Sequence, residues 1–126
     1  DLPLFVECTV DETTGEELTP LAHRSSRRVF SVQTAEKLQE LLAGVVAEGT
    51  GRQAAPSEGT AAGKTGTAQT GQFRDGEELK NHWFAGFYPA EKPRWTIVVM
   101  QDAQTEPEVS SAAVFARLCD ALSAGE

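Results

Sequence analysis

The sequence predicts an α+β fold: an antiparallel sheet flanked by helices. Three observations lead there. The chain carries two helical apolar stripes, one before and one after its centre. Between them lie two adjacent runs rich in aromatic and β-branched residues, Asn81–Tyr88 and Arg94–Gln101, joined only by Pro89-Ala90-Glu91-Lys92-Pro93. So short a connection predicts a hairpin. The resulting order, strand, helix, antiparallel strands, helix, is that of an α+β domain.

Leu4–Val10 is apolar and β-branched enough for a strand. Asp11-Glu12-Thr13-Thr14-Gly15 supplies turn chemistry, and Glu16–Leu18 returns as a short antiparallel partner. Pro20–Arg28 reads as a connector. The clearest helix spans Thr34–Glu48, because Leu38, Leu41, Leu42, Val45 and Val46 fall on one face. Ser31 or Thr34 caps its start, and Gly49 ends it. Thr50–Thr60 is a polar loop, and Ala61–Thr70 is small and polar enough to pass for another. Gly71–Lys80 reads as a charged connection. The last helix is expected from about Thr105, where Thr105-Glu106-Pro107-Glu108 has the capping-box pattern. Val114, Phe115, Leu118, Cys119 and Leu122 would form its apolar face.

Composition narrows the function. The chain has 126 residues, 40% hydrophobic and 24% charged, as a single globular domain has. A net charge of −8 argues against nucleic acid as partner, since phosphate binding needs clustered Lys and Arg. The one dense basic cluster, Arg24, Arg27 and Arg28, is short and reads as a solvated turn or a surface salt-bridge patch. The longest strongly apolar stretch, Trp95–Met100, is far short of a membrane span, and no targeting segment opens the chain. Cys8 and Cys119 match no metal or redox spacing; they are two buried thiols or a disulfide. With His23 and His82 they still form no finger-like pair, so no metal or other cofactor is expected.

The chemically informative segment is Gly63-Lys64-Thr65-Gly66-Thr67-Ala68-Gln69. Gly63-Lys64-Thr65 matches the end of a phosphate-binding P-loop, yet the loop's first glycine falls at Glu58, whose carboxylate would repel phosphate. No helical periodicity follows either, whereas a P-loop must run into a helix. On a strand at the edge of a cleft the same residues make better sense. An ammonium, two hydroxyls and a residue without a side chain can together hold a carboxylate and admit an extended peptide. Exposed strand amides can pair with that peptide or face a developing oxyanion.

K-T-G is also one of the signature motifs of the penicillin-binding protein and serine β-lactamase superfamily. The wider context carries the resemblance: Val45-Val46 and Glu48-Gly49-Thr50-Gly51, then Ala62–Gln69, then His82-Trp83-Phe84-Ala85-Gly86-Phe87-Tyr88-Pro89. In order and spacing Val29–Leu122 resembles class B-like penicillin-binding proteins, which implies a partial β-lactamase/transpeptidase-like fold. The resemblance implies that Lys64 supports proton relay, and that Thr65 and Thr67 bind the carboxylate of a D-Ala-D-Ala stem peptide or a β-lactam. It further implies that the Thr67 N–H is an oxyanion donor and that Gly66 gives clearance. His82 would open a structural strand rather than act catalytically, since nothing pairs it with a nucleophile, and Trp83, Phe84, Phe87, Tyr88 and Trp95 would be core rather than a substrate platform.

The departures matter equally. The family's nucleophile is a Ser with Lys three positions later. No Ser here has one, and the lone Asn, Asn81, lacks the S-x-N setting. The chain is therefore expected to be the C-terminal portion of a transpeptidase domain, with 1–28 a leading segment and 29–126 the K-T-G-containing part, inactive alone. Its docking face would be covered by the missing N-terminal half or by self-association. By resemblance the whole protein would crosslink peptidoglycan outside the bacterial cytoplasmic membrane. Rival readings are a penicillin sensor or β-lactamase homologue, and a non-catalytic binding module on the same fold.

Overall fold

Asp75 and Gly76 both adopt positive φ, 53° and 85°, and Arg74 pairs with Glu77 across them. An Asp-Gly pair in this conformation is the turn that matches the twist of a two-residue hairpin. It determines the largest feature of the fold in the computed structural model, which describes residues 9–18 and 28–125. Residues 1–31 and 32–126 form separate compact units.

In the first unit, β1 (Thr9–Val10) pairs antiparallel with β2 (Glu17–Leu18). The backbone N–H groups of Thr13 and Thr14 both donate to Asp11 Oδ1 at 2.8 Å, and Gly15 turns the chain at φ 73°. These bonds, that from Thr14 foremost, stabilise the charged form and hold the Asp11 carboxyl below its ordinary pKa. The turn expected at Asp11–Gly15 is present. The expected strand start at Leu4, the connector before Arg28, Cys8, His23, Arg24 and Arg27 lie outside the described residues.

The second unit holds α1 (Val32–Ala47), β3 (Ala62–Arg74), β4 (Glu77–Tyr88), β5 (Trp95–Gln104) and α2 (Ser111–Ala124). The three strands form one antiparallel sheet in the order β3-β4-β5. The α+β expectation stands: an antiparallel three-stranded sheet with two helices. The expected charged connection at Gly71–Lys80 is instead hairpin, because Asp75-Gly76 reverses the chain in two residues and leaves the rest free to pair. His82 accordingly lies in mid-strand rather than opening it.

Both arms carry irregularities. The β3–β4 register shifts between Gln69 and Phe73, where Gly71 takes φ 70° and Thr70 Oγ1 donates to the Leu79 carbonyl. The β4–β5 register shifts at Asn81, whose Oδ1 accepts from the Ala103 N–H at 2.9 Å. Asn81 is thus a bulge clamp.

The core lies on one face of the sheet. Phe84 and Phe115 are fully buried with ring centroids 4.6 Å apart, and Val46, Ala54, Ala61, Tyr88, Ala112 and Cys119 surround them. Close approach requires glycine at two facing positions. A Cβ on Gly63 would meet Phe84 Cε1 at 2.6 Å, and one on Gly86 would meet the Ala62 carbonyl oxygen at 2.5 Å. Phe115 can therefore rest directly on the sheet.

Two helix expectations shift. α2 starts at Ser111, not near Thr105: the Gln101 side chain donates to the Val109 carbonyl, and Ser110 caps by accepting from the Ala113 N–H. Its buried face is Ser111, Ala112, Phe115, Ala116 and Cys119, while Leu118 points out. In α1 only Val46 is fully buried, and Leu38 and Leu41 are exposed. The sheet's other face is open too: Val98 is 57% exposed, Met100 45% and Trp83 38%. Met100 opposes Trp83 and Val98 opposes Ala85, so these side chains share one surface.

Candidate functional site

Lys64, Thr65, Gly66 and Thr67 lie on β3, the sheet's edge strand, and pair with Ala85, Phe84, Trp83 and His82 of β4. An edge strand leaves half of its amides without a ladder partner. Ala61–Thr70, loop-like in composition, is strand because β4 supplies the pairing its small residues could not specify.

Strand alternation sends Thr65 and Thr67 to the core-side face and Lys64 to the other. The ammonium nevertheless turns back over the edge. Lys64 Nζ donates to the Thr65 carbonyl and to Thr65 Oγ1, both at 3.1 Å. Thr50 completes the group, its hydroxyl lying 3.3 Å from that of Thr65. Thr50 comes from the turn after α1, which the Gly49 and Gly51 N–H bonds to the Val45 carbonyl hold tight. Sequence reading placed Thr50 in the family context without giving it a role; only the fold brings it beside Thr65.

Thr65, Gly66 and Thr67 line a cleft of about 120 Å³ with Thr50, Gln53, His82, Trp83, Pro107 and the Ser110–Ala112 end of α2. Lys64 stands at its margin and does not line it. Ser111 Oγ donates to the His82 carbonyl at 2.8 Å, and Ser110 Oγ donates to Gln53 Oε1, so the start of α2 is fastened both to β4 and to the short turn Arg52–Ala54. The cleft wall is therefore three elements locked together. Trp83, expected in the core, is partly open to solvent, with its side chain on the sheet face opposite Thr65 and Thr67. Phe84 and Tyr88 are buried as expected, and Phe87 and Trp95 are partly covered.

Gly66 differs from Gly63 and Gly86. A Cβ there would meet only Trp83 Cβ, at an ordinary 3.4 Å. Internal packing does not require glycine at this position; the space a side chain would take lies beside Trp83, on the face opposite Thr65 and Thr67. Chemically, the cleft offers several hydroxyls and a backbone edge, with the Lys64 ammonium at its margin, a set suited to an anionic oxygen ligand presented by an extended chain. Among the described residues no group of His, Cys, Asp and Glu is arranged to hold a metal ion. The P-loop alternative fails on geometry, since Lys64-Thr65 continues as strand and not into a helix.

Known proteins resemble this chain over most of its length. The family described as the penicillin binding protein transpeptidase domain matches residues 3–120. Stage V sporulation protein D of Bacillus subtilis is 34% identical over 103 residues, covering 79% of this chain and 16% of that protein. Penicillin-binding protein PbpB of Mycolicibacterium smegmatis is 37% identical over 117 residues, covering 80% of this chain and 17% of that protein. Among solved structures, the D,D-transpeptidase domain of a peptidoglycan glycosyltransferase from Eggerthella lenta superposes with TM-score 0.61 at 31% identity, over 94% of this chain and 27% of that one. The transpeptidase domain of Burkholderia pseudomallei penicillin-binding protein 3 gives TM-score 0.68 at 30% identity, over 87% and 36%. The chain thus spans about one sixth of the length of the curated relatives it matches. With the family match reaching from residue 3 to residue 120, and the fold agreeing, the chain belongs to the penicillin-binding protein transpeptidase domain family.

Proposed function

We propose that this chain is the C-terminal part of a serine D,D-transpeptidase that crosslinks peptidoglycan stem peptides and is acylated by β-lactams. The observation that carries the reading is the edge-strand group itself: Lys64 Nζ and the Thr50 and Thr65 hydroxyls meet on the edge strand, beside the cleft that Thr50, Thr65 and Thr67 line. In this role Thr65 and Thr67 hold the terminal carboxylate of a D-Ala-D-Ala stem, as Lys64 supplies positive potential. The stem lies along β3 as an added strand. A serine hydroxyl from another segment attacks the penultimate D-Ala carbonyl. The Thr67 N–H stabilises the oxyanion, the peptide C–N bond breaks, and terminal D-Ala leaves with a proton. The acyl group then passes to a neighbouring stem's amine. No cofactor takes part in these steps, and Lys64 assists proton transfer by its charge.

The nucleophile stands outside this chain, since none of its serines has Lys three positions on. The open sheet surface bearing Trp83, Val98 and Met100 is where the rest of the domain packs, or a second copy when that half is absent. The whole protein works on the outer face of the bacterial cytoplasmic membrane. Among the described residues no helix is long and apolar enough to cross a membrane. Fluorescent penicillin tests the assignment: the complete transpeptidase polypeptide is expected to be labelled covalently and the 126-residue chain to remain unlabelled. Covalent labelling of this chain alone would refute the placement of the nucleophile.

A further inference from the structure

His82 Nε2 is buried and has no hydrogen-bond partner among the described residues. His82 nonetheless lines the cleft beside Thr67, the residue directly opposite it across β3 and β4, and both side chains rise on the same face. Directly opposed strand residues have Cβ atoms about 5 Å apart, within reach of one side-chain rotation. A buried polar atom left unpaired is costly, so a polar partner within such reach is a place where the cost can be relieved. The backbone at His82 is meanwhile fixed, because its carbonyl accepts from Ser111 Oγ at 2.8 Å. The backbone beneath the ring is held, and Thr67, which is exposed, is the partner free to turn.

We propose that His82 is a positioning residue for the carboxylate site: its Nε2–H donates to Thr67 Oγ1 when an anionic peptide terminus is seated, and so aims the Thr67 hydroxyl proton at that carboxylate. A hydroxyl can accept one hydrogen bond while donating another, and each bond polarises the next. The imidazole therefore acts on the ligand only through Thr67. This assignment rests on the carboxylate reading of the K-T-G strand and adds to it the residue that orients one of its hydroxyls.

The test uses the 126-residue chain with N-acetyl-D-alanyl-D-alanine and its C-terminal amide as probes. Ring ¹⁵N spectra resolve the chain's two histidines, with His23 as internal reference. The acid is expected to shift the His82 ring nitrogens saturably, with the same midpoint as the backbone amides of Thr65–Thr67, while the amide leaves them in place. His82→Phe should weaken acid binding about tenfold, as loss of one bond in a charge-assisted chain does. Thr67→Val should abolish the His82 shift, and the double variant should bind no worse than Thr67→Val alone. His82→Gln, which restores a side-chain N–H, should recover part of the affinity, with dispersed amide spectra certifying each fold. Unchanged affinity in His82→Phe, or additive losses in the double variant, overturns the His82 assignment and leaves the K-T-G reading standing. If the acid and the amide bind equally, or neither perturbs Thr65–Thr67, the carboxylate reading fails and takes this one with it.

Discussion

The hydroxyl of Thr50 lies 3.3 Å from the hydroxyl of Thr65. That pair ties the turn that ends α1 to the middle of the K-T-G strand, and with Lys64 Nζ 3.1 Å from Thr65 Oγ1 it fixes where the Thr65 oxygen points. Thr50→Val keeps the shape and removes the tie. We expect carboxylate-probe affinity to fall about threefold to tenfold, the worth of one neutral hydrogen bond, with melting temperature within error of the parent. Titration calorimetry beside thermal unfolding separates the two effects, and a large loss of stability would mean that Thr50 serves folding.

Gly66 and Gly86 provide a matched contrast. A Cβ on Gly86 would press on the Ala62 carbonyl oxygen and on the Phe84 and Phe115 rings, whereas one on Gly66 meets Trp83 Cβ at ordinary distance. Gly86→Ala is therefore expected to destabilise the chain by about 1–3 kcal/mol in urea unfolding. Gly66→Ala should leave unfolding unchanged and weaken binding of the extended peptide. Equal stability losses in both would contradict the view that Gly66 is kept clear for a ligand.

Burial pushes the Cys119 thiol up to about 11, and the neighbouring Asp120 carboxylate adds to the shift. Because the folded value lies above the unfolded 9.0, folding favours the protonated thiol. Its contribution to stability is complete below pH 9.0 and fades as pH rises towards about 11. Iodoacetamide at pH 8 should spare Cys119 in the native chain and alkylate it in urea, as read by peptide mass mapping. Rapid native modification would mean that α2 opens locally.

The open sheet face has a consequence in solution. Trp83, Val98 and Met100 share it, and Leu38 and Leu41 stand exposed on α1. We expect the 126-residue chain to elute above monomer mass in size-exclusion chromatography with light scattering. Val98→Lys with Met100→Glu should return it to monomer without loss of fold. A dilute, well-folded parent monomer would count against this surface as a docking face.

Much of this was legible in the residues because the signals are local. The α1 stripe, the Asp11–Gly15 turn and the aromatic strands each declare themselves through spacing. What sequence reading lost were features fixed by partners distant in the chain. Ala61–Thr70 is too small and polar to announce a strand, and only β4 makes it one. The capping box at Thr105 lost to Ser110 because Gln101, on β5, holds the Val109 carbonyl. Thr50 was visible as context and His82 as a strand residue, but their placement in one cleft depends on register and on the fastening of α2 to β4. The Asp75-Gly76 signal, by contrast, is local, but the charged residues on either side of it mask the pairing that it starts.

That turn has a consequence for how the domain can vary. The irregular stretch between Gln69 and Phe73 lies between the hairpin's tip and Lys64, so strain or added length at the tip is absorbed before it reaches the residues near the cleft. The far end of the β3–β4 arm is thus a place where relatives can differ in length, or an epitope be inserted, while the chemistry at its base stays in register.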